Sequence, residues 1–132
     1  MMPTTLPPLL MACLCAQWCG TCREYTATFD ALARSLSAQW GEQVVCAWVD
    51  VEDHADALGG VDVENFPTLL LAIEVQAVFF GPVLPHLGAA QRLAQSCFDP
   101  TKAGASPQVF APAGLVQAVR GLLASGEVRP LV

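Results

Sequence analysis

The sequence predicts an α/β protein with a mixed four-stranded sheet and helices on both faces. Short apolar runs alternate with a segment of helical periodicity in the first half of the chain. Two later apolar runs are separated by only three residues, which is typical of an antiparallel hairpin. A strand–helix–strand crossover requires parallel pairing, so the same sheet must combine both strand directions.

The first strand is predicted at Leu9–Cys15, a short apolar run consistent with burial on both faces. A helix should start directly after Cys19, and Gly41 should end it. The second strand is predicted at Val44–Val51, which is rich in β-branched residues. The apolar side chains that fall at helical spacing on the intervening helix are Tyr25, Phe29, Leu32 and Leu36.

The middle of the chain is predicted to contain a short helix, a hairpin and a longer helix. Asp53 is a candidate cap for the short helix, which would end at Gly59–Gly60. The hairpin strands are predicted at Thr68–Ile73 and Ala77–Phe80. The longer helix is predicted over Leu87–Cys97.

The last part of the chain is predicted to be a loop followed by one more helix. The segment 98–111 contains Pro100, Gly104 and Pro107 and is expected to be a loop. Pro112 suits the first position of a helix that would stop at Gly126. The 132 residues suit a single domain with its own core, with a helical extension from about residue 98.

The composition excludes several classes of function. The net charge is −6 and the basic residues are scattered, so no basic surface for nucleic acid is expected. No apolar run approaches the ~20 residues of a membrane span. The apolar stretch 6–16 has no Lys or Arg before it, which a signal peptide would need, so a cytoplasmic location is expected. In that reducing compartment, clustered cysteines are more often catalytic or metal-binding than structural.

The segment CLCAQWCGTC, residues 13–22, holds four of the six cysteines. Cys19 and Cys22 fall where a strand leads into a helix. The dipole and unpaired N–H groups of a helix N-terminus stabilise a thiolate and lower its pKa from about 8.5. Cys19 is therefore the candidate nucleophile. Cys22, one turn later, is close enough to bond with it and to release a substrate from a mixed disulfide.

Two motifs resemble those of the thioredoxin family. Trp18-Cys19-Gly20-Thr21-Cys22 resembles its active-site signature, with threonine where typical thioredoxins have proline. Phe66-Pro67-Thr68 resembles the loop that carries the family's cis-proline opposite the CxxC. The resemblance covers about residues 8–97 and implies a thioredoxin-like three-layer sandwich with thiol–disulfide oxidoreductase activity.

The resemblance implies a role for each residue of these motifs. Cys19 would attack a protein disulfide and Cys22 would resolve the mixed disulfide, while Gly20 and Thr21 form the active-site turn. The Cys19–Cys22 disulfide would be the redox group, with no cofactor or metal. The partners would be protein disulfides and a recharging reductase, without nucleic acid or membrane, and the oligomeric state stays open. The residues expected to contact substrate are Trp18, Phe66, Pro67, which would follow a cis peptide bond, and Thr68.

The chain departs from the family pattern in three ways. Only 18 residues precede Cys19, so a trimmed fold without the family's first strand and helix is expected. Cys13 stands where thioredoxins carry a buried aspartate, and Trp48 stands where the lysine partner of that aspartate falls. Losing both members together avoids an isolated buried charge, which would be costly.

Alternatives remain open for the other cysteines and for the function. Cys13 and Cys15 should share one face of their strand, where small apolar core residues are expected. A four-cysteine metal site at 13, 15, 19 and 22 is the rival, and either Cys13 or Cys15 could also form a disulfide with Cys22. Cys46 is expected in the core and Cys97 near an exposed helix end. The alternative function is a non-catalytic thioredoxin-like protein-binding or chaperone module.

Overall fold

The structure is a computed structural model that describes residues 8–16, 20–54, 56–58, 68–82, 87–98, 114–128 and 130–131. These residues form four strands and three α-helices, and a short 3-10 helix, Gly41–Gln43, follows the first of them. The strands are β1 (Leu9–Cys15), β2 (Val44–Asp50), β3 (Thr68–Ile73) and β4 (Gln76–Pro82). The helices are α1 (Gly20–Trp40), α2 (Leu87–Phe98) and α3 (Leu115–Ser125).

The strands form one mixed sheet in the order β2-β1-β3-β4, which confirms the predicted sheet. β1 runs parallel to β2 and antiparallel to β3, and β4 completes the antiparallel hairpin. β1 therefore lies inside the sheet, and each of its residues is buried. Because β3 runs against β1, the first residue of β3 lies at the end of the sheet where β1 finishes.

Helices cover both faces of the sheet, as predicted, and β1 contributes to both cores. Side chains alternate between the two faces of a strand. The odd-numbered residues of β1 pack with buried residues of α1 and α2, whereas the even-numbered residues pack with α3. The three layers are thus α1 with α2, the sheet, and α3.

Helix α1 buries the face that its apolar periodicity predicts. Tyr25, Phe29, Leu32 and Leu36 are all at most 1% exposed. The helix ends at Trp40, and Gly41 follows it with φ +61°, a conformation that glycine adopts without a Cβ penalty. None of the described helices, α1 included, combines the length and the hydrophobicity needed to cross a membrane.

The predicted short helix after β2 is wrong for the residues described there. Residues 51–54 and 56–58 form turns, and Gly59–Gly60 lie outside the described residues. Asp50, rather than Asp53, acts as the cap: its Oδ1 accepts hydrogen bonds from the backbone N–H groups of Glu52 at 2.8 Å and Asp53 at 3.1 Å. A local side-chain hydrogen bond of this kind favours a turn over continued helix.

The hairpin turn is tighter than predicted, and β4 is longer. Only Glu74 and Val75 connect the strands, because Ile73 pairs with Gln76. Glu74 has φ +56°, which such a tight turn requires. The pairing then continues to Thr68 opposite Pro82, so β4 extends beyond the predicted Ala77–Phe80 at both ends.

The bounds of α2 and α3 agree with the predicted helices to within one residue, except at the start of α3. α2 extends one residue beyond the predicted Leu87–Cys97. The start of α3 at Pro112 is wrong, because Gly114 has φ +79° and the helix begins after it at Leu115; Pro112 itself lies outside the described residues. The predicted stop is confirmed: Gly126 has φ +84° and donates its N–H to the carbonyl oxygen of Leu123 at 3.3 Å.

The end of the described chain lies along the free edge of β2. Pro130 forms an isolated antiparallel bridge with Ala47. Next to it, the N–H of Leu131 donates to the carbonyl oxygen of Cys46 at 2.9 Å. The C-terminal segment therefore covers part of the edge strand.

Candidate active site at the β1–α1 junction

The predicted redox motif spans the junction between β1 and α1. β1 ends at Cys15 and α1 begins at Gly20, so the predicted helix start directly after Cys19 is confirmed. Trp18 and Cys19 lie outside the described residues. Cys22 belongs to the first turn of α1, although its side chain and that of Thr21 are not described.

The start of α1 is electrostatically suited to a thiolate. Its first turn, Gly20-Thr21-Cys22-Arg23, contains no carboxylate. Gly20 is exposed, and nothing lies within 4 Å of the place where a Cβ would stand. The positive end of the dipole of a 21-residue helix is thus directed at this point without an opposing charge in its first turn.

Cys13 and Cys15 lie side by side beneath this junction. Their Sγ atoms are 3.7 Å apart, and both residues are fully buried, as their shared strand face predicts. Cys13 is a free thiol, which agrees with its expected place in the core. Cys15 is disulfide-bonded, so the interpretation of Cys15 as a plain apolar core residue is wrong. Its spacing from Cys13 indicated only the face on which its sulfur lies.

Cys13 does not replace the buried acid of the family pattern. Burial raises the pKa of its thiol far above the ordinary value, so Cys13 stays neutral. Tyr25 lies nearby, and among the described residues its buried hydroxyl has no hydrogen-bond partner. Burial, together with the negative charge that Cys13 would carry if ionised, raises the pKa of Tyr25 to about 12. Glu24, a carboxylate of α1 two residues after Cys22, is exposed.

Trp48 occupies the position directly opposite Cys13 on β2. Its ring meets that of Phe29 edge-on, with centroids 5.9 Å apart and an interplanar angle of 62°. Edge-to-face aromatic pairs are worth about 0.5–1.5 kcal/mol beyond burial. An apolar contact between β2 and α1 therefore fills the place of the missing charge pair.

Thr68 is brought to the same end of the sheet as the redox motif. It is the first residue of β3, pairs with Leu14 on β1, and is 3% exposed. Phe66 and Pro67, which precede it, lie outside the described residues. The substrate-binding roles of all three remain predictions.

Asp50 is a polar residue of this region that the sequence reasoning did not single out. It ends β2, directly opposite Cys15, and the N–H of Val51 donates to the carbonyl oxygen of Cys15 at 2.8 Å. Asp50 is only 8% exposed, and its carboxylate organises the following turn. The available signal was an aspartate near a strand end with the polar run Glu52-Asp53-His54 starting two residues later, a pattern compatible with an Asx turn.

A groove lies beside the start of α1. Its volume is about 550 Å³. It extends from the first turns of α1 across Trp48 to the C-terminal segment, and Arg23, the neighbour of Cys22 in sequence, forms part of its wall. The lining residues are Arg23, Thr26, Ala27, Asp30, Trp48 and Leu131.

The remaining cysteines lie outside this cluster. Cys46 is a free, buried thiol, as predicted. Cys97 is half-buried rather than exposed, with its Sγ 3.9 Å from the carbonyl oxygen of Val78. In the described part of the chain, no group of three or more His, Cys, Asp and Glu side chains could hold a metal ion. The four-cysteine metal site lies partly outside that region, since it needs Cys19 and Cys22.

Comparison with known proteins decides the family. The sequence model of the Thioredoxin family matches residues 8–79. The chain belongs to the thioredoxin family. The match begins just before β1 and includes the CxxC, the Phe66-Pro67-Thr68 motif and most of the hairpin. No curated protein sequence matches the chain significantly.

Solved structures share this thioredoxin fold at low sequence identity. The zinc-bound form of human ERp44 is 20% identical with a TM-score of 0.60 over 71% of this chain. The oxidised thioredoxin from Plasmodium falciparum is 17% identical with a TM-score of 0.55, covering 67% of this chain and 80% of that one. A mutant thioredoxin from Halobacterium salinarum is 22% identical with a TM-score of 0.53, covering 68% and 74%. The match spans only 28% of the ERp44 chain.

Proposed function

We propose that this protein is a thiol–disulfide oxidoreductase that reduces protein disulfides through Cys19 and Cys22. One observation carries the proposal: a buried central strand ends four residues before Cys19, and a long helix begins at the residue after it. A CxxC at a helix N-terminus is the arrangement that lowers a cysteine pKa and makes the thiolate reactive. Membership of the thioredoxin family agrees with this chemistry.

The proposed reaction is a pair of thiol–disulfide exchanges. The Cys19 thiolate attacks one sulfur of a substrate disulfide, and the other substrate sulfur leaves as a thiolate and takes up a proton. Cys22 then loses its proton and attacks the Cys19 sulfur. The second substrate thiol is released, and a Cys19–Cys22 disulfide forms. The substrate is reduced by the two electrons that the cysteine pair loses, and a reductase restores the dithiol.

The surroundings of Cys13 indicate how the Cys22 proton leaves. The buried thiol at position 13 remains neutral, because burial raises its pKa. The exposed Glu24 offers no buried replacement. We therefore expect water, or the departing substrate thiolate, to take the proton from Cys22 during the second exchange.

Substrate recognition is proposed at two places around the junction. Trp18, Phe66, Pro67 and Thr68 would contact the substrate segment, as the family motifs imply. The groove beside α1 would accommodate chain that flanks the substrate disulfide, with Arg23 and Asp30 offering opposite charges. The proposed partners are disulfide-containing proteins and a recharging reductase in the cytoplasm.

Insulin reduction in the presence of dithiothreitol tests the activity. We expect the Cys19→Ser variant to lose the activity. Cys22→Ser should accumulate a mixed disulfide with substrate, because nothing then resolves it. Cys97→Ser is the matched control, since Cys97 lies on α2 with its thiol directed at the Val78 carbonyl. Full activity of Cys19→Ser would contradict the proposal.

A second candidate is a thioredoxin-like module that binds proteins without redox turnover. The observation that favours it is the replacement of the family's charge pair by Cys13 and Trp48, packed against Phe29. A redox titration of the Cys19–Cys22 couple separates the two functions. A reduction potential of about −270 mV fits a thioredoxin-like reductant, whereas a pair that does not exchange supports the binding module.

A further inference from the structure

The disulfide at Cys15 is unexpected for a residue that precedes the CxxC on a buried strand. Of the six cysteines, Cys13, Cys46 and Cys97 are free, whereas Cys15 is disulfide-bonded. Within one chain, the cysteines left as its partner are the two of the redox motif, Cys19 and Cys22. The disulfide of Cys15 thus points to exchange with the catalytic pair.

We propose that Cys15 is a third redox-active cysteine of this site and that it forms a disulfide with Cys22. The proposal deepens the proposed function, because it concerns the same pair of catalytic cysteines. It assigns to Cys15 a chemical step that neither the CxxC motif nor the fold requires.

The placement of Cys15 on the sheet favours Cys22 over Cys19 as its partner. Cys15 belongs to the core cluster in which α1 packs on the sheet, together with Tyr25 and Phe29. Cys22 precedes these two helical residues by three and seven positions, which is the spacing of one helical face. Cys19 precedes the helix, next to the exposed Gly20.

The exchange is an internal rearrangement that needs no external oxidant. Cys15 loses its proton and attacks the Cys22 sulfur of the Cys19–Cys22 disulfide. A Cys15–Cys22 bond forms, and the Cys19–Cys22 bond breaks. Cys19 leaves as a thiolate, and the proton given up by Cys15 is available to it through solvent. The number of disulfides is unchanged, and the reverse attack by Cys19 restores the first state.

The rearrangement would give the protein a state in which the nucleophile is free but its resolving partner is not. Cys19 could still attack a substrate disulfide. Cys22, held by Cys15, could not then release the mixed disulfide. The protein would retain its substrate covalently until Cys15–Cys22 is reduced or exchanged. Cys15 thus determines whether a bound protein is released or held.

Cys13 provides a matched control for Cys15. It lies on the same strand face, equally buried, with its sulfur 3.7 Å from that of Cys15. It is nevertheless a free thiol. Because Cys13 is free while Cys15 is bonded, we assign Cys13 no step in the exchange.

Counting thiols in single-cysteine variants tests the proposal. Each full-length variant is oxidised with diamide, denatured in acid and labelled with a maleimide, and the monomer is analysed by intact mass. Cys19→Ser leaves five of the six cysteines, and we expect three labels, because Cys15 and Cys22 are bonded. Adding Cys15→Ala should give four labels, with no disulfide. Adding Cys13→Ala instead should give two labels, with the disulfide retained.

The Cys22→Ser variant tests the choice of partner. We expect five labels on its monomer, since Cys15 then has no partner. Three labels on that monomer, with the disulfide located between Cys15 and Cys19 by peptide mapping, would overturn the assignment to Cys22. Five labels on folded Cys19→Ser would overturn the proposal itself, and circular dichroism checks the fold of each variant. These counts do not depend on catalysis, so loss of insulin reduction in the wild type would contradict the proposed function alone.

Discussion

Cys13 on β1 lies directly opposite Trp48 on β2, in the strand pair that leads to the redox motif. A neutral thiol and an indole ring therefore occupy the two positions where the family pattern has a carboxylate and an ammonium group. Trp48 packs edge-on against Phe29 of α1. This part of the core is stabilised by packing, and its described residues offer no counter-ion for a charge introduced at position 13.

The first prediction is that Cys13→Asp destabilises the protein strongly at neutral pH. An uncompensated buried charge costs about 3–5 kcal/mol. Burial raises the pKa of an aspartate, so the stability of the variant is retained below the unfolded pKa of about 3.9 and lost as the pH rises. In urea unfolding, the free energy of unfolding of the variant should be lower than that of the wild type at pH 7. The difference should become smaller towards pH 4.

Two further variants serve as controls for that prediction. Cys13→Ala should lower the free energy of unfolding by the same amount at pH 4 and at pH 7. Adding Trp48→Lys to Cys13→Asp should recover part of the loss at pH 7, because the lysine lies opposite the carboxylate. A deficit of equal size at pH 4 and pH 7 for Cys13→Asp would show that its charge is not the cause.

The second prediction concerns stability at alkaline pH and Cys46. Burial raises the pKa of the Cys46 thiol to about 12, against an unfolded value of about 8.5. The stabilisation from the protonated buried thiol is fully present below the unfolded pKa and is lost as the pH rises through the folded pKa. The free energy of unfolding should thus fall, for this group, by about 1.4 kcal/mol per pH unit above pH 9.

Comparison with Cys46→Ala isolates this contribution. The stability difference between wild type and the variant, measured by urea unfolding under reducing conditions, should narrow as the pH is raised from about 8 to about 10, the range just around and above the unfolded pKa. Cys97→Ala is the matched control, because its thiol is only half-buried and should give a smaller change. A wild-type advantage over Cys46→Ala that stays constant over this range would contradict the prediction.

The third prediction is that Arg120 of α3 stabilises the protein by binding both the turn between β3 and β4 and Pro8, the residue before β1. Its Nε donates to the carbonyl oxygen of Glu74 at 2.7 Å, and a terminal nitrogen donates to that of Pro8 at 2.9 Å. Hydrogen bonds from a charged group are worth about 1.5–3 kcal/mol, and partial exposure lowers that value. Arg120→Met should therefore cost about 2 kcal/mol in chemical denaturation.

Arg92 of α2 provides the control for Arg120, since it is an exposed helical arginine. Arg92→Met should change the stability by less than about 0.5 kcal/mol. Arg120→Lys should recover only part of the loss, because a lysine cannot reproduce the planar fork that reaches both carbonyl oxygens. Equal effects of the two methionine variants would show that the contacts of Arg120 are not stabilising.

The sequence was sufficient for the elements whose burial follows a simple period. The apolar spacing of Tyr25, Phe29, Leu32 and Leu36 predicted the buried face of α1, and Leu9–Cys15 predicted the central strand. The CxxC was placed correctly at a helix start, because a strand and a helical repeat meet there. These features depend on local patterns that one segment carries by itself.

The features that were missed depend on competition or on distant contacts. Asp53 suits a helix cap, but in the structure the carboxylate of Asp50 accepts the hydrogen bonds from the backbone N–H groups of Glu52 and Asp53. Pro112 suits a helix start, but the left-handed conformation of Gly114 sets the start at Leu115. A disulfide of Cys15 was one of the alternatives that the sequence left open, because it depends on which sulfurs the folded junction brings together, and residue spacing alone does not decide that.

The C-terminal segment on the edge of β2 has a consequence for self-association. An open strand edge is a template on which another chain can add a strand. Pro130, bridged to Ala47, has no N–H to offer an incoming strand, so it both covers the edge and ends the ladder there. Removing these last residues would expose the backbone of β2 and favour polymerisation through the sheet.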